Sequence, residues 1–166
     1  MSHQPVHVRR PWAVAVLTIV TVGIYWPIWY FKVNRELRDV GRLGGDESLG
    51  ASRPSRSVVA VILGGLILVP GIVSYLRFAR RLRDGERAAG AAVNRSGVIA
   101  TVLVAAQIIS YASPGAKGST FIVVGAITLA LWLSAMVLAQ MRMNAIARTL
   151  TEEHAPAVVD AAVAPA

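Results

Sequence analysis

The chain of 166 residues contains no cysteine, which excludes disulfides, thiolate metal sites and a cysteine nucleophile. It contains no histidine between residues 8 and 153, so its interior offers neither an H-E-x-x-H zinc helix nor a serine–histidine relay. No Asp, Glu, Lys, Arg or His falls within the stretches 11–31, 57–76, 96–116 and 118–141. Proton relays, ion-coupled carriers and voltage sensors need such residues inside their helices, so this absence argues against all three. The phosphate-cradling pattern G-x-x-x-x-G-K-[ST] and the dinucleotide pattern G-x-G-x-x-G are missing as well. No catalytic residue, cofactor or metal ligand is expected, and the chain does not read as an enzyme. Acidic residues are scarce, 9 against 17 Lys and Arg, which leaves a net charge of +8.

What is present is apolar and concentrated. Apolar residues make up 55% of the chain, and mean hydropathy is +0.55. The four uncharged runs each have about the 17–25 residues that a hydrocarbon core requires. The expected fold is therefore all-α and integral to a membrane: four hydrophobic helices with amphipathic helical extensions at the interface. Residues 1–10 and 151–166 are expected to be disordered tails around a membrane domain over 11–150. Nearly all basic residues flank apolar runs, where they contact anionic lipid headgroups and set orientation. Lipid, not nucleic acid, is the partner this pattern predicts. Arg9 and Arg10 precede an apolar run as in a signal peptide, but bulky aromatics and Lys32 follow where an A-x-A-like cleavage site would stand.

The aromatic residues are crowded into one place. In TVGIYWPIWYFKVNREL, residues 21–37, five of the seven positions from Tyr25 to Phe31 are aromatic. Trp12 and Trp29 lie about 25 Å apart along a continuous helix, which is close to the spacing of the two headgroup zones. An aromatic belt at the membrane surface is the simplest reading, and a cage for a cationic ligand is the alternative. Beyond it, Tyr30, Val33, Leu37 and Val40 share one helical face, with Lys32–Glu36 and Arg35–Asp39 as i,i+4 pairs. Tyr75, Phe78, Ala79 and Leu82 form a second stripe beside Arg77, Arg80 and Arg81, which reads as an interfacial helix or as a solvated extension of the second span. Gln107 lies mid-span and is expected to bond a neighbouring helix. Ala126, Ala130 and Ser134 recur every four residues, a spacing that allows another helix or a second copy of the chain to pack closely.

The stretch from Arg10 to Leu37 resembles a family of bacterial membrane proteins called domain of unknown function 4234. Arg10-Pro11, Thr21, Gly23-Ile24-Tyr25, Trp29, Asn34 and Glu36-Leu37 carry the resemblance, which continues more loosely through the second span. Gln140 and Asn144 look like the glutamine and asparagine after the family's last span. The resemblance implies an integral membrane protein with several helices, and brings no activity, cofactor or catalytic residue with it.

Two functions of different class fit. One is a binding or scaffold protein that packs with membrane partners and anionic headgroups; the other is a minor transport or pore component. Small size and the lack of buried charge favour the first. Topology is where the pattern conflicts. With four full crossings, Lys and Arg divide ten against seven between the two sides. A re-entrant second span, broken at Pro70-Gly71, would make the division fourteen against three. A first span that also turned back, near Gly23, would make it sixteen against one. Hairpin arms of about 15 Å reach only half of the core, and the Trp12–Trp29 spacing suits a crossing. Four crossings in the cell membrane, with both termini cytoplasmic and the turn between spans three and four external, are therefore expected.

Overall fold

The computed structural model describes residues 7–21, 24–50, 53–66, 68–92 and 97–154. All regular elements among them are helices: α1 Pro11–Val20, α2 Tyr25–Leu43, α3 Glu47–Gly50, α4 Pro54–Leu66, α5 Leu68–Ala88, α6 Gly97–Ala112 and α7 Ser119–His154. The all-helical expectation holds. Against the expected four crossings, one helix among the described residues, α7, is long and apolar enough to cross a membrane.

The first apolar run is two helices that fold back on each other. Arg9 and Glu36 are joined by a side-chain ion pair, yet 27 residues of continuous helix would set them about 40 Å apart. The chain reverses between Val20 and Tyr25, so α1 and α2 are antiparallel. Thr21 makes this reversal workable. Its hydroxyl oxygen accepts the Tyr25 N–H at 2.9 Å and its O–H donates to the Leu17 carbonyl at 2.7 Å. One first-turn amide of α2 is thereby satisfied without water. Thr21→Val is expected to lower the thermal stability of the purified protein by roughly 1 kcal/mol. A Thr21→Ser variant, which keeps the hydroxyl, should stay close to the parent.

The second run folds the same way. Arg81 reaches Ser57 at 2.6 Å, where a continuous helix would separate them by about 36 Å. Helix α4 ends at Leu66 and α5 begins at Leu68, so Pro70-Gly71 lies inside α5 rather than at a break. Pro70 sits in the first turn of α5, where its missing N–H leaves no helical bond unmade. A left-handed glycine stands two residues after the second helix of each hairpin: Gly45 has φ 70° and Gly90 φ 64°, a conformation with little cost only for glycine.

The two hairpins pack together and against α7. Tyr30, Val33, Leu37 and Val40 of α2 are all buried, as are Tyr75, Phe78, Ala79 and Leu82 of α5. The two stripes face inward and join one core with Met136, Met143 and Ile146 of α7. The interfacial-helix reading of 77–82 is thus corrected: these residues continue α5, and their apolar side chains meet α2 rather than lipid. The Leu37 side chain lies against bare backbone here, since a Cβ on Gly85 would stand 2.7 Å from it.

Helix α7 is the one helix among the described residues long and apolar enough to cross a membrane, and only 11% of its apolar window is buried. That exposure separates it from the core helix of a water-soluble protein. Its partner α6 is shorter, about 24 Å, and connects through a turn in which Ala116 N–H bonds the Ser113 carbonyl at 2.9 Å. The hairpin tips reach α7 near Trp132 and Met136, where Trp26 meets Trp132 at 4.8 Å and Thr18 meets Met136. The first turns of α7 extend past them, with Phe121, Ile122, Val123 and Ile127 exposed.

Within the expected N-terminal tail, the Arg9 N–H is bonded to Asn144 of α7. The helix α7 runs to His154, past the expected boundary at 150. Residues 1–6 and 155–166 lie outside the described residues, so the expectation for those parts of the tails does.

Candidate functional site: a polar clamp and a basic cavity

The aromatic cluster is not a belt. Trp29 and Tyr30 are each only 2% exposed, and Trp26 stacks on Tyr30 at 5.5 Å and meets Trp132 edge-on. The Trp29 Nε1–H donates to Gln140 Oε1 at 2.8 Å. Because the chain reverses at Thr21, the ring that would face a headgroup zone on a continuous helix instead enters the core. Trp12, 59% exposed, remains the outward-facing tryptophan of the expected pair. The cage alternative fails too: the space among Trp26, Trp29, Tyr30, Tyr75 and Phe78 is about 10 Å³, room for one water at most and far too little for a cationic ligand.

From Trp29 a chain of hydrogen bonds climbs α7. Gln140 Nε2 donates to Asn144 Oδ1 at 3.0 Å. Asn144 Oδ1 also accepts the Arg9 N–H at 3.0 Å, and Asn144 Nδ2 donates to the Arg9 carbonyl at 2.6 Å. One amide side chain therefore holds both backbone groups of the residue that leads into α1. The Arg9 guanidinium then grips Glu36, with Nη1 to Oε2 at 3.1 Å beside the Nη2–Oε1 contact. Asn34 donates to the Tyr30 carbonyl at 2.8 Å and accepts from Arg81 Nη1 at 3.0 Å.

Burial pushes the Glu36 carboxyl above its ordinary value, and the hydrogen bond and charge of Arg9 work against that. For a carboxyl with a raised folded pKa, the folded state binds its proton more tightly than the unfolded chain does. That contribution to stability is present below the ordinary value of 4.5 and is lost as pH rises through the raised one. Thermal unfolding scanned upward from pH 4.5 should show this slope in the parent protein and a flatter profile in Glu36→Gln.

Four acidic residues at this end have basic partners, and for Glu36 and Asp39 these differ from the i,i+4 assignments. Glu36 pairs with Arg9, Asp39 with Arg38 at 3.4 Å, Asp84 with Arg87 at 3.7 Å, and Glu86 with Arg142 at 3.5 Å. Gln107 bonds a neighbouring helix as expected, accepting from the Tyr75 hydroxyl at 3.1 Å. The face formed by Ala126, Ala130 and Ser134 is exposed.

Beside the clamp lies a cavity of about 150 Å³ between α2, α4 and α5. Arg53, Arg56, Arg77 and Arg81 line it, and no carboxylate lies within ion-pair distance of any of the four among the described residues. Ser57, Ser74 and Tyr30 complete the wall. The sequence places these arginines in two separate loops and helices; only the return of α5 alongside α4 brings them around one space.

The chain is thus a helical bundle of two half-length hairpins and one long apolar hairpin, with its polar chemistry gathered at one end. The family model for a domain of unknown function (DUF4234) matches residues 9–84, just under half of the chain, and in this stretch the chain is similar to that family. The matched segment begins at the clamped Arg9 and ends in α5, so it takes in both half-length hairpins. No curated protein and no solved structure matches the chain.

Proposed function

We propose that this is a small, non-catalytic integral membrane protein that binds anionic headgroups and membrane partners from one side of the bilayer. In this reading α6 and α7 cross, while the α1–α2 and α4–α5 hairpins enter from the basic side and turn back partway. The observation that carries it is the segregation of charge: every described Lys and Arg except Lys117 lies at the clamped end, and exposed apolar side chains such as Val20, Ile24, Ile62 and Val69 cover the hairpin tips. Positive residues mark the cytoplasmic side of short loops, so both termini, the 32–56 loop and the 77–95 loop are cytoplasmic. The turn around Lys117 is external. The cell membrane is the location this predicts.

A scaffold suits the interior better than a carrier does. Trp29, Gln140, Asn144, Asn34, Tyr75 and Gln107 are all engaged in side-chain hydrogen bonds that tie helices or turns together. Such bonds fix one arrangement, whereas a carrier needs polar groups free to hold a solute in two. Two measurements test the reading. The protein should stay in the membrane through an alkaline carbonate wash, and purified protein in liposomes should pass no ions or small solutes above the protein-free rate. Release by carbonate would overturn the membrane assignment; solute flux would replace the scaffold with a pore.

A further inference from the structure

We propose that the cavity between α2, α4 and α5 is a binding site for an anionic phosphate group, held by Arg53, Arg56, Arg77 and Arg81. This rests on the one-sided membrane reading and names a ligand for it. The four guanidinium groups converge on about 150 Å³ of space with no carboxylate within ion-pair distance among the described residues. Four arginines elsewhere at the same end, Arg9, Arg38, Arg87 and Arg142, each have a carboxylate. Like charges gathered without a counter-ion repel each other, and an anion removes that cost. Arginine's planar fork of donors also matches phosphate oxygens in pairs.

The site is built rather than a chance cluster of surface charge. Arg81 is fixed across three helices, since its Nη1 donates to Asn34 Oδ1 of α2 at 3.0 Å and to Ser57 Oγ of α4 at 2.6 Å. Its burial disfavours the cation and adjacent Arg77 adds to that, so an anion beside it supplies what solvent does not. The floor is formed by Ser74 and Tyr30, which are 7% and 2% exposed. Ser74 lies seven residues from Arg81, about 10 Å toward the hairpin tip. Below the cavity α4 carries exposed Val59 and Ile62, and α5 carries exposed Val69 and Val73. Charged mouth and apolar flank together suit a phosphate that carries acyl chains.

The test uses the full chain purified in detergent and native mass spectrometry, with three probes: short-chain phosphatidylglycerol, short-chain phosphatidylcholine and inorganic phosphate. One phosphatidylglycerol per chain should bind at least about tenfold more tightly than phosphatidylcholine. The double variant Arg53→Gln/Arg77→Gln removes two exposed arginines that make no ion pair among the described residues, and should weaken that binding about tenfold or more. A second double variant, Arg42→Gln/Arg87→Gln, loses the same charge outside the cavity and should stay within about twofold of the parent. If inorganic phosphate displaces the lipid at similar concentration, the site stands and its ligand is the free ion. Equal weakening in both variants, or no preference for the anionic probes, would overturn the site. Carbonate resistance is independent of these arginines, so loss of the site leaves the membrane reading intact.

Discussion

Single cysteines at Glu47, Ala92 and Gly115 should react with a membrane-impermeant thiol reagent in two groups: the first two from one face of the membrane, the third from the other. The chain has no native cysteine, so each label reports one site, and all three positions are exposed. Four full crossings would put residues 47 and 92 on opposite faces. The folded hairpins put them on the same face, because Ser57 and Arg81 touch and the loops beyond them lie at one end. The contrast is all-or-none, not a graded change in rate. Labelling of Glu47→Cys and Ala92→Cys from opposite sides would restore a crossing α4–α5 and sink the hairpin.

Trp29→Ala should be the most destabilising single change in the first hairpin, about 3–5 kcal/mol by loss of a buried aromatic side chain. The ring is 2% exposed, packs edge-on to Phe78 at 6.4 Å, and donates to Gln140. Two further variants separate packing from hydrogen bonding. Trp29→Phe keeps most of the volume but leaves the Gln140 oxygen without its tryptophan donor, a cost of roughly 1–3 kcal/mol. Gln140→Leu also strands the Trp29 N–H and frees one bond to Asn144, so the double variant Trp29→Phe/Gln140→Leu should cost less than the sum of the singles. Thermal unfolding in detergent measures all of them. An anchor at the membrane surface would behave differently: Trp29→Ala would shift the helix in depth with little loss of stability, and Gln140 would show no coupling to it.

The helices themselves were legible from residue spacing. The stripe of Tyr30, Val33, Leu37 and Val40 and that of Tyr75, Phe78 and Leu82 are buried where helical periodicity placed an apolar face. The family signature was legible too, and the structure gives its residues physical tasks. Thr21 caps the reversed helix, Trp29 reaches Gln140, Asn34 holds Arg81, and Glu36 holds Arg9. Even Gln140 and Asn144, more than a hundred residues from that signature, belong to its hydrogen-bond network.

What composition and periodicity determined by themselves was an all-helical chain with apolar runs, charges at their ends and no reactive group inside. Only the tertiary structure decided that two of those runs fold back. Helical periodicity is local and reads alike in a crossing helix and in the arms of a hairpin. The reversal depends on Thr21 supplying a turn bond and on long-range partners at the arm ends, Arg9 with Glu36 and Asn144, and Ser57 with Arg81. The sixteen-to-one division of basic residues pointed the same way. It lost to arm length because the α7 surface that covers the arms cannot be seen in their own sequence. The basic cavity has the same origin: its four arginines come from segments that meet only when α5 returns beside α4 and α2.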